Sequence, residues 1–382
     1  MTKTKLVYVL PTYDADSAGH MYHIHGFLEA VAEHLDIWLI VEHVRSQPEF
    51  RNLKLYRQRT EMPVLSKLEK LAVMVWTRLH GYKRFYTHYS VSGGILSALV
   101  TRILGGVSLY WNCGHMMDFV PSQVRSLSDL RAKVRNHWLL DLNLRLVHHL
   151  VTGTPAMARY YSDSYGSPLD SIRIMHNWVD LGRFTALADK PKLRLELGWP
   201  LEKKVVLFLH RLAERKGAHH IVPIAEEMLV QHPGLNSELL FVIAGDGPYR
   251  KKLEGEIEQA ALTGQFQLSG WVPNREAIKF FAAADVYMMP STEEGFPRTL
   301  LEAMAAGCPF TAMDVGGVKD IVTSAQAEFV VPADDWREMA SALGRLLVDR
   351  ALRERLIAEG HAHVQNYSQD KVVQDFVSLI ST

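Results

Sequence analysis

The chain has 382 residues, 48% of them apolar and 22% charged, with 42 basic and 42 acidic side chains. That length exceeds what one hydrophobic core usually serves, so two domains are expected, and the apolar fraction excludes extensive disorder. A balanced charge gives no reason to expect nucleic acid as a partner. Two cysteines, Cys113 and Cys308, show neither paired nor metal-ligand spacing, which fits a reduced, cytoplasmic setting.

In chain order, the N-terminal MTKTKLVYVLPTYD is an apolar run broken by Pro11 and followed by charge, unlike a signal peptide. Strands are expected at 5–10, 36–41, 84–88, 107–111 and 149–152, with helical patterns between them. His20, His23 and His25 are spaced so that a helix cannot bring all three to one face, so they form no metal site. Residues 45–84 alternate basic and apolar side chains, among them Arg57, Lys67, Lys70, Arg78 and Lys83. Such a basic amphipathic stretch suits anionic lipid or a phosphorylated acceptor; a solvated helical face is the alternative. The window 93–111 is nearly membrane-like, but Arg102 and Gly105-Gly106 divide it into a helix, a turn and a strand.

A polar, Pro-punctuated connection between Asn177 and Glu202 marks a domain boundary. The expected division is 1–183, 184–362, and a final helix in 363–382 packing back on the first domain. A second series of strands follows at 205–209, 239–245, 266–270, 285–290 and 309–313. Alternating strands and helices predict an α/β protein with two Rossmann-like, doubly wound domains facing a cleft.

Two segments of the second domain carry chemistry. In HRLAERKG (210–217) a strand gives way to a helix, and Arg211 and Lys216 are cations suited to a departing diphosphate. In EEGFPRTLLEAMAAG (293–307), Pro297 fits a helix start, which places backbone N–H groups at Phe296, Arg298 and Thr299 where an anion binds. Glu294 precedes that anion site. Glu302 lies roughly 7–8 Å along the helix at 1.5 Å per residue. Carboxylate, anion site, carboxylate matches the sugar, diphosphate and ribose of a nucleotide sugar. Exposed loop cations and two solvated glutamates on an ordinary helix are the plain alternative. GDGPYR (245–250) lacks the third glycine of a dinucleotide fingerprint, which weakens an oxidoreductase reading.

With FVIAGDGP (241–248), LSGWVPNREAI (268–278) and DVGGVKDIV (314–322), these segments occur in an order that resembles the retaining GT-B glycosyltransferases of family 4. IMHNWVDLGRF (174–184) also resembles that family's interdomain segment. The resemblance is strong over about 170–330 and weaker before it. It implies a metal-independent transferase with no cofactor, using a UDP-, GDP- or ADP-sugar. The proposed work is hexose transfer to a hydroxyl of a glycan or lipid-linked acceptor, in cell-envelope synthesis at the inner face of the membrane.

Residue by residue, the resemblance implies that Arg211 and Lys216 hold the diphosphate and Glu294 the sugar hydroxyls. The backbone at Phe296, Arg298 and Thr299 would meet sugar and phosphate, Glu302 the ribose, and Val272 would sit near the base. Gly19 matches the glycine of the first loop, with His20 and Tyr22 on the acceptor side. His115 is the donor-site histidine, one residue later than the family's spacing. His210 and Pro297 stand where the family usually has glycine. Asp14-Ala15-Asp16 resembles the metal-binding triad of the other large glycosyltransferase fold, but follows the first strand, where an acceptor-side loop is expected. A same-fold phosphorylase, a sugar-nucleotide epimerase and a non-catalytic nucleotide-sugar-binding subunit are the alternatives.

Overall fold

In the computed structural model the described residues are 3–14, 23–46, 49–114, 127–184 and 189–382. They form two compact units, residues 1–176 with 370–382, and residues 177–369.

The first unit is built on seven parallel strands, β1 (Thr4–Tyr13), β2 (Leu35–Val44), β3 (Lys54–Arg57), β4 (Arg84–His88), β5 (Val107–Trp111), β6 (His149–Thr152) and β7 (Ile172–Ile174). Their order is β3-β2-β1-β4-β5-β6-β7, so the winding reverses between β1 and β4. Central strands such as β1 read as unbroken apolar runs because helices cover both faces of a parallel sheet. The helices are α1 (Ile24–Ala32), α2 (Pro63–Leu79), α3 (Val91–Leu104), α4 (Leu127–Leu146) and α5 (Pro155–Tyr165). Ser90 starts α3 by accepting the Gly93 N–H at 3.0 Å, and Thr154 does the same for α5 at the Met157 N–H, with Pro155 in the first turn.

The second unit has the order β10-β9-β8-β11-β12-β13, reversing between β8 and β11. Its strands are β8 (Lys204–Leu209), β9 (Leu239–Ala244), β10 (Phe266–Gly270), β11 (Val286–Met289), β12 (Phe310–Met313) and β13 (Val330–Val331). Its helices are α6 (Lys190–Glu196), α7 (Ile221–Gln231), α8 (Arg250–Gln259), α9 (Asn274–Ala283), α10 (Arg298–Ala305), α11 (Ser324–Ala327), α12 (Trp336–Val348) and α13 (Arg350–His363). Phe208, Phe241 and Ile243 of the sheet pack with Ile221 and Met228 of α7 and Leu343 and Leu346 of α12 in one core.

The chain leaves the first unit after His176, earlier than residue 184. Val179 pairs in parallel with Ser368, its N–H donating to the Tyr367 carbonyl at 3.0 Å, which ties 177–184 to the second unit. The last helix, α14 (Gln369–Ser381), returns to the first unit. There Phe376 sets its ring 4.9 Å from Tyr86, 5.2 Å from Phe27 and 6.1 Å from Tyr8.

Within residues 45–84 the basic side chains Arg45, Arg51, Lys54, Arg57, Arg59, Lys67 and Lys83 are exposed, and Lys70 is the buried exception. The stretch contains the edge strand β3 and helix α2, and α2 buries Lys70 and Thr77 while its outward side is apolar. Lys70 goes inside because Glu42 pairs with it at 2.5 Å and Ser92 accepts from it at 3.0 Å. Among the described residues no helix is long and apolar enough to cross a membrane.

Candidate active site

The reversal between β8 and β11 is where an open α/β sheet leaves a crevice at its strand ends. The loop after β8 carries His210, Arg211 and Lys216; the loop after β11 carries Glu294 and leads into α10. A short 3-10 turn, Glu214–Lys216, ends at Gly217, whose φ is +72°. A Cβ there would lie 1.8 Å from the Pro290 carbonyl oxygen, so glycine lets the two loops touch. From this turn Lys216 reaches across, and its Nζ donates to Glu294 Oε1 at 2.8 Å and, at 3.4 Å, to the Glu293 carbonyl.

Lys216 is 5% exposed and Glu294 7%. Burial pushes the Glu294 carboxyl up, but the charges of Lys216 and His210 and the Lys216 hydrogen bond outweigh it and hold the group below the usual carboxylate range. Gly316, at φ +54°, seals the other side: a Cβ there would fall 1.6 Å from the Glu294 carbonyl oxygen. Arg211 remains exposed at the mouth of the loop.

Helix α10 begins at Arg298 after Pro297, as the sequence predicts. The Leu300 N–H donates to the Pro297 carbonyl at 3.1 Å, so the N–H groups of Arg298 and Thr299 come before the first intrahelical bond. The side chains nearby are held by the scaffold. Arg298 Nε donates to the Trp178 carbonyl at 3.2 Å, and the buried Phe296 ring meets Tyr367 edge-on at 6.0 Å. Their backbone, rather than their side chains, is what faces a ligand in the sequence reading. Glu302 lies one turn further along α10; it and Glu294 both raise the buried Tyr287 of β11, after burial the main cause. Val272 follows β10, half-buried beside the exposed Trp271.

His210 is more than a missing glycine. Its Nδ1 accepts the Arg211 N–H at 2.7 Å, which leaves Nε2 to carry the proton in the neutral ring, and Nε2 lies 3.8 Å from Glu294 Oε1. Residue type alone gave no signal for this contact, because it depends on β8 and β11 being neighbours.

The contacts join Lys216, Glu294 and His210; Arg211 follows His210 in the same loop, Phe296, Arg298, Thr299 and Glu302 continue the chain from Glu294 into α10, and Val272 follows the next strand but one. Gly19, His20, Tyr22 and His115 lie outside the described residues, as do Ala15 and Asp16.

Two Rossmann-like units of parallel sheet define the GT-B class of fold. Residues 189–363 match the family described as glycosyl transferases group 1. A D-inositol 3-phosphate glycosyltransferase of Acidothermus cellulolyticus is 33% identical over 236 residues, 60% of this chain and 52% of the relative. The chain thus spans about half the length of that relative. Among solved structures, sucrose-phosphate synthase of Thermosynechococcus elongatus is similar with a TM-score of 0.78 and 20% identity, covering 99% of this chain and 98% of the other. Anabaena HepE in complex with UDP is similar at 0.73 and 19%, covering 99% of each. These structural likenesses carry the fold.

Proposed function

We propose that the protein is a retaining glycosyltransferase that moves a hexose-type sugar from a UDP-, GDP- or ADP-sugar to a hydroxyl acceptor. The observation that carries this reading is the buried Lys216–Glu294 pair at the sheet reversal, with Arg211 beside it and Glu302 on the following helix. It is supported by relatives named as glycosyltransferases, rather than as phosphorylases or epimerases, and by the UDP complex of a structural neighbour.

In this reading Glu294 accepts hydrogen bonds from the sugar hydroxyls and Glu302 from the ribose. An ammonium has three donors, so Lys216 can hold Glu294 and still meet a phosphate oxygen, while Arg211 grips the diphosphate by its planar fork. The acceptor oxygen attacks the anomeric carbon from the face the diphosphate leaves. As the carbon–oxygen bond to the β-phosphate breaks, the acceptor proton passes to a phosphate oxygen. Arg211 and Lys216 offset the charge that grows there, so the reading assigns no step to a metal ion. His115 would attend the donor sugar; Gly19, His20 and Tyr22 would serve the acceptor. We assign the acceptor to lipid-linked or polymeric glycans of the cell envelope, handled at the cytoplasmic face of the membrane.

The test is transfer and donor hydrolysis by Arg211→Ala and Lys216→Ala, alongside thermal-shift screening with UDP-, GDP- and ADP-sugars. Each variant is expected to lose about a hundredfold or more in kcat, in line with loss of one charge-stabilising donor. Undiminished activity in both would overturn the diphosphate assignment. A nuclear magnetic resonance assay of the product anomer decides retention.

A further inference from the structure

Helix α2 packs on the sheet through Met74, with Leu71, Val73 and Val75 partly buried against the same core, and is apolar on its outward side as well. At 100° per residue, Lys70, Met74 and Thr77 share the inward side and are buried, Lys70 being 3% exposed. The opposite pole is Val64, Leu65, Leu68, Ala72, Trp76 and Leu79, all of them exposed and Leu79 at 71%. This stripe runs roughly 22 Å along the helix at 1.5 Å per residue. At its C-terminal end the Arg78 guanidinium donates to the Leu104 carbonyl at 2.6 Å, so a basic flank lies between this stripe and Ile103 of α3, itself 77% exposed. Isolated exposed leucines are ordinary; six exposed apolar positions along one helix face are not.

The charges beside the stripe have one prevailing sign. Lys67 and Arg78 lie on one flank of it, Lys83 follows the helix, and Arg102 sits on α3 next to Ile103. The nearby carboxylates Glu69 and Glu42 are engaged internally: Glu69 accepts from Tyr56, Arg59 and Thr60, and Glu42 from Lys70 and Ser90. Glu61 is the exposed acid at the helix start. A two-fold contact with a second copy would press this basic margin against its own image. An interface of acyl chains and anionic headgroups satisfies both parts, taking the leucines below and the lysines and arginines at headgroup level.

We propose that the outward face of α2, with the end of α3, is a docking surface for an anionic lipid bilayer. The surface acts without a bound donor, so it stands or falls apart from the transfer reading above. The experiment is co-sedimentation of the full chain with vesicles of phosphatidylcholine alone and of phosphatidylcholine with phosphatidylglycerol, at low and high salt. The wild type is expected to pellet with the anionic vesicles about tenfold better than with the neutral ones, and to be released by salt. The triple variant Leu65→Gln, Leu68→Gln, Leu79→Gln alters exposed positions only. It is expected to keep the wild-type melting temperature and lose about tenfold or more in partitioning. Lys67→Glu with Lys83→Glu is expected to remove the preference for anionic vesicles. Wild type that stays in the supernatant with both vesicle types overturns the proposal, as does a triple variant that partitions normally. A lipid-free dimer seen by sedimentation velocity, dissolved by the triple variant, overturns it in favour of a second copy.

Discussion

At the reversal between β8 and β11 the second unit buries an ion pair, Lys216 with Glu294; at the reversal between β1 and β4 the first unit buries an uncharged aromatic stack. There Tyr8 bonds His88 Nδ1 at 3.0 Å, and the His88 ring lies on Trp111 at 4.4 Å, nearly parallel. The same strand-end position is thus furnished in two ways. Burying charge costs stability unless it is paired; the first unit also holds a buried pair, Lys70 with Glu42, which ties α2 and α3 to β2, whereas Lys216 and Glu294 sit on the two loops that leave a sheet reversal. That placement is what supports the diphosphate assignment proposed above.

The largest effect that tests this contrast comes from breaking the pair. Lys216→Ala strands a buried carboxylate and is expected to cost about 3–5 kcal/mol in denaturant unfolding. Lys216→Met with Glu294→Gln, which removes both charges, should recover most of that stability and none of the transfer activity. A double variant as active as wild type would mean the pair is only structural. In the first unit Phe376→Ala should cost about 3–5 kcal/mol by leaving a cavity between Tyr8, Phe27 and Tyr86, with donor thermal shifts unchanged.

Gly316→Ala should be next, destabilising by about 2 kcal/mol or more, since its Cβ would collide with the Glu294 carbonyl. Gly198→Ala is the control: at φ +69° with no atom within 4 Å, it is expected to cost only about 1 kcal/mol. Donor affinity should fall in the first variant and not in the second.

A further test is in pH, where the two units separate by window. Burial lowers His88 to about 3. Below about pH 6.5 the unfolded chain takes up a proton that folded His88 refuses, so stability falls by up to about 1.4 kcal/mol per pH unit. Glu294, held below its ordinary value of 4.5, contributes stability that is present above that value and lost as pH falls through the lowered one. Melting curves of wild type, His88→Gln and Glu294→Gln between pH 7 and 3 should lose the upper and the lower arm respectively.

The parallel strands were legible in the sequence because strands covered on both faces are continuous apolar runs, and the start of α10 because Pro297 marks it. Strand β3 was not, since an edge strand reading KLYR carries charge that looks like loop or helix surface. The burial of Lys70 was missed for a related reason: composition counts it as a surface charge, and its partners Glu42 and Ser92 lie more than twenty residues away along the chain. At the candidate site, residue types and order identified Arg211, Lys216, Glu294 and Glu302. The closeness of His210 to Glu294 depends on strand adjacency, which no local pattern encodes.

The pairing of Val179 with Ser368 has a consequence for how the chain is assembled. Residues 177–369 enter and leave at neighbouring points, so this unit is one continuous stretch inserted in the first, with its two ends paired. The first unit is different: Phe376 and Ile380, fully buried in its core, arrive after the insertion has been synthesised. The part of the protein made first is therefore the last to complete its core, and until then it depends on a segment nearly two hundred residues away along the chain.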